Sequence, residues 1–389
     1  MTSDKPAVLG GIPIFSDLVP IIQPTLPSLS DLEEDILEIF ASRMITNHKF
    51  VQQLEKKLEE YLGVRNVIGI SNCTTGLMLL GRSLYLEGEV ITPSFSFSAT
   101  SLAIIWLGLK PIYADCDPIK FTIDPEKVKE KITAKSSAIL ATHIFGNPCD
   151  IAALEEIAED HKLKLFFDSA HGAGSIYKGK RIGNFGDGES FSMSPTKVLT
   201  AGEGGFVATN DDKIAENIRI GRNYANPGDY NTSFIGLSGR MAEFNAILAL
   251  RSLSMLEENV LNRQKLVAHY KKRLSKLPGI TFQEIEQDSR SSYKDFAIQI
   301  NPKEFELSRD KLYDALEAEN VMTKKYFFPA IHQQSAFKPY LAGQDLKLEN
   351  TIELANNTLC LPIYSHMEIS LVDKICDAIE RIYNYRSQF

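Results

Sequence analysis

Leu163-Lys164-Leu165-Phe166-Phe167-Asp168-Ser169-Ala170-His171 is a short apolar run closed by an acid, two small residues and an imidazole. An apolar run of this length bounded by polar residues reads as a strand buried on both faces. Asp168 then stands at the carboxyl end of that strand. The same unit recurs upstream, in Val67-Ile68-Gly69-Ile70, Glu89-Val90-Ile91-Thr92, Pro111-Ile112-Tyr113-Ala114-Asp115 and Ala138-Ile139-Leu140-Ala141-Thr142-His143. Helix-length segments such as Ile151 to His161 separate these runs. Such alternation predicts an α/β fold, a mostly parallel sheet with helices on both faces. Ligands bind such sheets beyond the carboxyl ends of the strands. Asp168 and the turn Asn72-Cys73-Thr74-Thr75-Gly76 both belong to that edge.

After Asn245 the pattern changes. Met241 to Lys276 is predicted to be one long helical stretch, with Ile247, Leu248, Leu250, Leu253, Leu256 and Val260 on a buried face. Leu277-Pro278-Gly279 ends it. Asp295 to Ile300 reads as a strand, Arg309 to Glu319 and Ser370 to Tyr385 as helices. The chain therefore divides into a large α/β domain with an N-terminal arm, residues 1–245, and a small C-terminal α+β domain, residues 246–389.

Its 389 residues are 44% hydrophobic and 24% charged, enough for a sizeable core. The net charge of -8 argues against nucleic acid as a partner, because a surface that tracks phosphates needs a basic face. Cys73, Cys116, Cys149, Cys360 and Cys376 are odd in number and show no C-x-x-C spacing, so they read as buried thiols of a reducing compartment and as no metal site. Met1 to Leu9 carries charge and proline in place of an apolar leader, and no run approaches the roughly 20 apolar residues of a membrane span. A soluble cytoplasmic protein without membrane contact is expected.

Lys197 lies in Ser190-Phe191-Ser192-Met193-Ser194-Pro195-Thr196-Lys197-Val198-Leu199-Thr200-Ala201-Gly202-Glu203-Gly204-Gly205, downstream of Asp168. An aspartate at the end of a buried strand can hold a pyridinium nitrogen protonated, and a lysine among small polar residues can form an imine with an aldehyde. Together they point to pyridoxal 5'-phosphate. Thr74 and Thr75 open a helix after a strand, where hydroxyls and free N–H groups suit a phosphate. Ser192 offers another phosphate contact, and Phe97 a face for the cofactor ring.

With these parts in this order, the chain resembles the DegT/DnrJ/EryC1/StrS family of nucleotide-sugar aminotransferases, a branch of the fold-type I pyridoxal-phosphate enzymes related to aspartate aminotransferase. The resemblance runs from about Ile22 to the C-terminus. It is carried by Asp168 to Gly172 and Thr196 to Gly205, with Asn223-Tyr224, Gly236 to Glu243, Tyr326 to His332 and Leu361-Pro362 at the later motifs. It implies that Lys197 is the Schiff-base lysine, Asp168 the pyridine-nitrogen partner and His171 the contact to the ring hydroxyl. It also implies that Arg240 reaches the phosphate side of a second subunit's site, hence a homodimer with shared sites. This chain has Ser238 where Gly-x-Asn-x-Arg is common, and His48-Lys49 follows Thr46-Asn47 where Gly-Pro is usual.

The implied reaction moves an amino group from an amino acid, usually L-glutamate, to a nucleoside-diphosphate keto-6-deoxyhexose in amino-sugar biosynthesis. A lysine at 197 favours transfer over the dehydration carried out by relatives with histidine there. The run from Glu89 to Thr100 tilts the reading toward amination at C4. C3 amination and a catalytically idle pyridoxal-fold binding or assembly protein stand as alternatives. Tyr326 and His332 are candidates to hydrogen-bond the sugar; Arg222, Lys324 and Lys325 are candidates for its diphosphate.

Overall fold

The computed structural model describes residues 5–389; Met1 to Asp4, the start of the charged N-terminal stretch, lie outside the described residues. In chain order the first half holds α1 (Glu33–Ser42), α2 (Lys49–Leu62), β1 (Asn66–Ile70), α3 (Cys73–Ser83), β2 (Glu89–Pro93), α4 (Ser98–Trp106), β3 (Lys110–Ala114), α5 (Pro125–Lys129), β4 (Ser136–Thr142), α6 (Ile151–His161) and β5 (Lys164–Asp168). There follow β6 (Ile176–Tyr177), β7 (Lys180–Arg181), β8 (Gly188–Ser192), β9 (Gly205–Thr209), α7 (Asp212–Gly221), α8 (Glu243–Ser254), α9 (Leu256–Leu274), β10 (Ile280–Phe282), β11 (Phe296–Ile300), α10 (Arg309–Ala318), α11 (Glu349–Asn357), β12 (Thr358–Leu361) and α12 (Ile369–Asn384).

Seven strands form one sheet in the order β1-β9-β8-β5-β4-β2-β3. Only β9 runs against its neighbours, pairing antiparallel with both β1 and β8. The pleat sends alternate residues to opposite faces. Val67, Ile139, Ala141, Leu165, Phe167, Phe206 and Ala208 enter one core with α2, α6 and α8. Ile68, Ile70, Ala138, Leu140, Phe166 and Val207 enter another with α3, α4 and α7. Phe166 and Phe167, 1% and 0% exposed, thus serve different layers. Each side chain contributes about 1.5–3 kcal/mol by leaving water.

One strand beside β5 is not legible as an apolar run. β8, Gly-Glu-Ser-Phe-Ser, has a single large apolar residue, yet all five positions are buried. Its buried Glu189 accepts from the Gly183 N–H at 2.6 Å, the Phe185 N–H at 3.1 Å and the Ser169 hydroxyl at 2.5 Å, so the charge is met by donors.

The single helix predicted over Met241 to Lys276 is two, broken at Met255. α8 packs in the large core, and α9 passes from it, at Leu256 and Val260, into a third core at Leu266, Val267, Tyr270 and Leu274. The change of core therefore falls within α9. The third core also contains β10-β11-β12, α10 and α12. Phe15 and Val19 of the N-terminal arm belong to it and not to the large core, because Glu319 accepts from the Ala7 and Ile14 N–H groups and Val19 pairs with Val321.

The entry loop at Thr46 to Lys49 is fixed by Glu243. Its buried carboxylate accepts from the N–H groups of His48 and Phe50, each at 2.7 Å, and of Val51 at 3.3 Å, at the N-terminus of α2 where an anion is favoured. All five cysteines are buried and free. No helix among the described residues is long and apolar enough to cross a membrane.

Candidate active site

The carboxyl ends of β1, β5 and β8 meet at one edge, and each delivers a functional group. After β1, Asn72 in extended conformation caps α3 by accepting from the Thr75 N–H at 2.9 Å. The N–H groups of Cys73 and Thr74 are left without an acceptor among the described residues, at the positive end of the helix. Ser192 pairs with Gly205 in the β8-β9 ladder. A Cβ on Gly205 would stand 2.8 Å from both the Asn72 carbonyl carbon and the Cys73 nitrogen, so glycine there lets the strands close onto the helix start. Ser192 thereby lies across the ladder from the glycine that touches the start of α3.

Asp168 ends β5 and is 4% exposed. Its Oδ2 accepts from the Thr100 hydroxyl at 2.7 Å, and Oδ1 from the Ala170 N–H at 3.1 Å. Ser96 stands behind Thr100 at 2.7 Å. The Cys73 thiol lies 3.7 Å from Oδ1, and burial followed by the Asp168 charge raises its pKa well above the usual value. The sequence does not single out Thr100 and Cys73 as partners of Asp168, because those contacts are made by packing of α4 and α3 on the sheet.

Lys197 sits on the loop between β8 and β9. Met193 receives the Ala201 N–H and donates to the Gly204 carbonyl, closing the loop. Buried Val198, Leu199 and Ala201 anchor it, and Asn245 and Ser252 of α8 bond to Ala201 and Thr200. Lys197 Nζ makes no hydrogen bond or ion pair with any described residue. Burial and then the positive charge of Lys294 push its pKa down from 10.5 to about 8. It is a lysine kept ready to be neutral.

The lysine opens into a cavity of about 230 Å³ shared with Phe97, His171, Tyr326, Lys294 and Asp295. Phe97 is 60% exposed there, a ring face with no protein partner across it. His171 Nδ1 accepts from the Phe145 N–H at 3.1 Å, so Nε2 carries the hydrogen in the neutral ring. Burial, then the charges of Lys197 and Lys294, hold its pKa well below the usual value. The orphaned amine, the buried carboxylate, the open ring face and the uncommitted N–H groups are the fittings that pyridoxal phosphate requires.

Residues 29–380 match the DegT/DnrJ/EryC1/StrS aminotransferase family. The chain belongs to that family.

Among DegT-family relatives, dTDP-4-amino-4,6-dideoxy-D-glucose transaminase of Escherichia coli is 32% identical over 359 residues, 92% of this chain and 96% of the relative. dTDP-3-amino-3,6-dideoxy-alpha-D-galactopyranose transaminase of Aneurinibacillus thermoaerophilus is 31% identical over 338 residues, 86% of this chain and 90% of the relative. The solved structure of DesI with its TDP-sugar product superimposes with TM-score 0.92 at 30% identity, covering 98% of this chain and 97% of that one. A further member of known structure, 26% identical, is described with bound cofactor PMP. This DegT-family chain is a pyridoxal-phosphate-dependent aminotransferase of fold type I.

The structure brings Lys197, Asp168, His171, Phe97, Thr74, Thr75, Ser192 and Tyr326 to one edge. It does not bring His332 into the cavity. His332 is 8% exposed, with Nδ1 2.7 Å from the Ser94 hydroxyl, because residues 331–333 turn onto β2 and bury it. Arg222 is likewise buried, bonded to Glu55 at 2.5 Å and to the Gly69 carbonyl at 2.6 Å, and has no free face for a diphosphate. Lys325 is paired with Asp310 at 2.6 Å. Arg240 bonds Asn223 at 2.5 Å, stacks on Tyr224 and does not line its own chain's cavity.

Lys294 and Asp295 were missed as site residues, since they read only as the polar flank of a strand. They are placed by the segment before β11: Tyr293 holds φ +47° in the left-handed region, Ser292 donates to the His171 carbonyl at 2.8 Å, and Arg263 donates to the carbonyls of Tyr293 and Lys294. A bulky residue in that conformation costs about 1–3 kcal/mol and persists only where its surroundings enforce it.

Proposed function

We infer that this enzyme transfers the amino group of an amino acid, L-glutamate, to the keto carbon of a nucleoside-diphosphate 6-deoxyhexose at C4. The observation that carries this is the unpaired Lys197 amine in a cavity shared with His171 and Phe97, on an edge that also holds buried Asp168. Similarity to a 4-amino sugar transaminase and to DesI with its TDP-sugar product supports the acceptor class. A 3-amino relative of nearly equal identity keeps amination at C3 as the second reading.

Bound pyridoxal phosphate supplies an electron sink for the bond broken at the donor's Cα. The residues of the chain do the rest. Asp168, oriented by Thr100 and the Ala170 N–H, would hold a proton on the ring nitrogen. Cys73, Thr74, Thr75 and Ser192 would hold the phosphate. His171, with its hydrogen on Nε2, would donate to the ring hydroxyl, and Phe97 would cover the ring face. Lys197 Nζ, in the neutral form that its lowered pKa of about 8 makes accessible, would take the proton from the donor's Cα and hand it to the bound cofactor, and in the second half would carry one from the cofactor to the acceptor carbon. Tyr326 lines the cavity where the sugar would stand.

A second copy of the chain completes the site in this reading. Leu37, Phe40, Met44, Ile45 and Phe244 are exposed together around α1 and α8, and Phe40 and Phe244 touch edge to face at 5.9 Å. Arg240 and Tyr224 are half-buried and exposed, respectively, outside their own chain's cavity, where a partner could reach them. The test is incubation of the loaded enzyme with L-glutamate and a panel of nucleotide-linked 4-keto and 3-keto 6-deoxysugars, with product read by mass spectrometry. Amine in place of ketone on a 4-keto member supports the reading; amine only on a 3-keto member moves it to C3. No loss of the visible cofactor absorption with any amino donor returns the idle-protein alternative.

A further inference from the structure

The two halves of an amino transfer put unlike molecules in one cavity: an amino acid with carboxylates, then an uncharged sugar ring. A cation suited to the first is a buried unpaired charge in the second unless something holds it. Among the described residues, Lys294 is the one fixed cation beside Lys197 that lines this cavity. Arg222 and Lys325 are committed elsewhere, to Glu55 and Asp310.

Lys294 and Asp295 are 5% and 4% exposed. The Lys294 ammonium reaches both Asp295 oxygens, at 2.8 and 3.1 Å, and stands 5.6 Å from the Tyr326 ring. Neither side chain hydrogen-bonds any third described residue. A buried ion pair that serves stability alone is usually braced by further donors and acceptors, and this one is not. The backbone beneath it is braced instead, through the left-handed Tyr293, Arg263 and the Lys294 N–H on the Phe145 carbonyl at 3.0 Å. The pair is held rigidly from below and left open toward the cavity.

We propose that Lys294 is the cation that takes a carboxylate of the amino donor, and that Asp295 holds it in reserve so that the same wall admits the uncharged sugar. This rests on the amino-transfer reading above. The ammonium has three hydrogens; with the donor present, one moves from Asp295 to the incoming carboxylate while another stays. When the sugar replaces the donor, both oxygens of Asp295 are bonded again and the wall carries no net charge. Asp295 therefore opposes carboxylate binding, and its removal has the opposite sign to removal of Lys294.

The experiment is calorimetric titration of the loaded enzyme with glutarate, a dicarboxylate with no amine to react. Lys294→Met is expected to weaken glutarate by about 10- to 100-fold, the value of a hydrogen bond to a charged group. Lys294→Arg should retain most of the binding, and Asp295→Asn should tighten it. Visible cofactor absorption and melting temperature establish that each variant is folded and loaded. Unchanged affinity in Lys294→Met, weakening in Asp295→Asn as large as in Lys294→Met, or no glutarate binding by the parent enzyme overturns the proposal. Failure to aminate any sugar, with glutarate binding still dependent on Lys294, would fault the acceptor and not this site.

Discussion

Thr100→Val removes one oxygen from the centre of the site without changing the shape of the side chain. Thr100 is fully buried, and its hydroxyl donates to Asp168 Oδ2 at 2.7 Å. Because its hydrogen is spent on the carboxylate, Ser96 at 2.7 Å must donate to it in turn. In the variant Asp168 keeps the Ala170 N–H on its other oxygen, and the Ser96 hydrogen can turn to the Thr142 hydroxyl at 3.4 Å. The loss is therefore one charge-assisted bond, about 1.5–3 kcal/mol. If that bond fixes the carboxylate where the ring nitrogen needs it, the first half-reaction slows by about 10- to 100-fold, since each 1.4 kcal/mol is a factor of ten. The assay is stopped-flow absorbance of the bound cofactor after mixing with L-glutamate, beside a thermal melt. A half-reaction rate within a factor of about two of the parent, with a lower melting temperature, would refute the reasoning: Thr100 would then stabilise the fold without orienting Asp168.

The lowered pKa of Lys197 has a sign that can be checked. Its amine is protonated and unreactive below the pKa, so reloading of cofactor-free enzyme with pyridoxal phosphate should accelerate with rising pH through about 8 and not through 10.5. At pH 7 a pKa of about 8 leaves roughly one amine in ten neutral, against roughly one in three thousand at 10.5. Lys294→Met should move that midpoint upward, and a midpoint unmoved in the variant would remove Lys294 from the cause. Glu243→Gln should lower unfolding free energy by about 2–3 kcal/mol in denaturant titration, because three N–H groups lose a charged acceptor. His332→Gln should lower the melting temperature and leave KM for the sugar nucleotide unchanged; a selective rise in that KM would return His332 to substrate contact. Light scattering should find a dimer, and an active monomer would contradict the shared-site reading.

The strand-helix alternation made the sheet legible, because β1, β2, β4 and β5 are apolar on both faces and the pleat leaves them no polar alternative. β8 is not legible as a strand: Phe191 is its single large apolar residue among glycine, serine and glutamate, and its burial depends on donors such as the Ser169 hydroxyl and Gly183 N–H that only the fold supplies. Asp168 is legible because it ends an apolar strand, and Lys197 because of the small and polar residues that surround it in the sequence. Thr100, Ser96, Lys294 and Asp295 are not, since their roles arise from contacts between segments far apart in the chain. His332 shows the converse: its sequence neighbourhood suggested substrate, and a turn onto β2 gave it to Ser94 instead.

The central claim is that nitrogen passes from an amino acid to a sugar nucleotide through Lys197 and its cavity. Heavy-nitrogen L-glutamate, the loaded enzyme and a nucleotide-linked 4-keto 6-deoxysugar, followed by mass spectrometry, test it most directly. The account predicts an amino sugar carrying the heavy nitrogen, formed by the parent enzyme and not by Lys197→Ala. A product without the label, or one formed equally by Lys197→Ala, would contradict it.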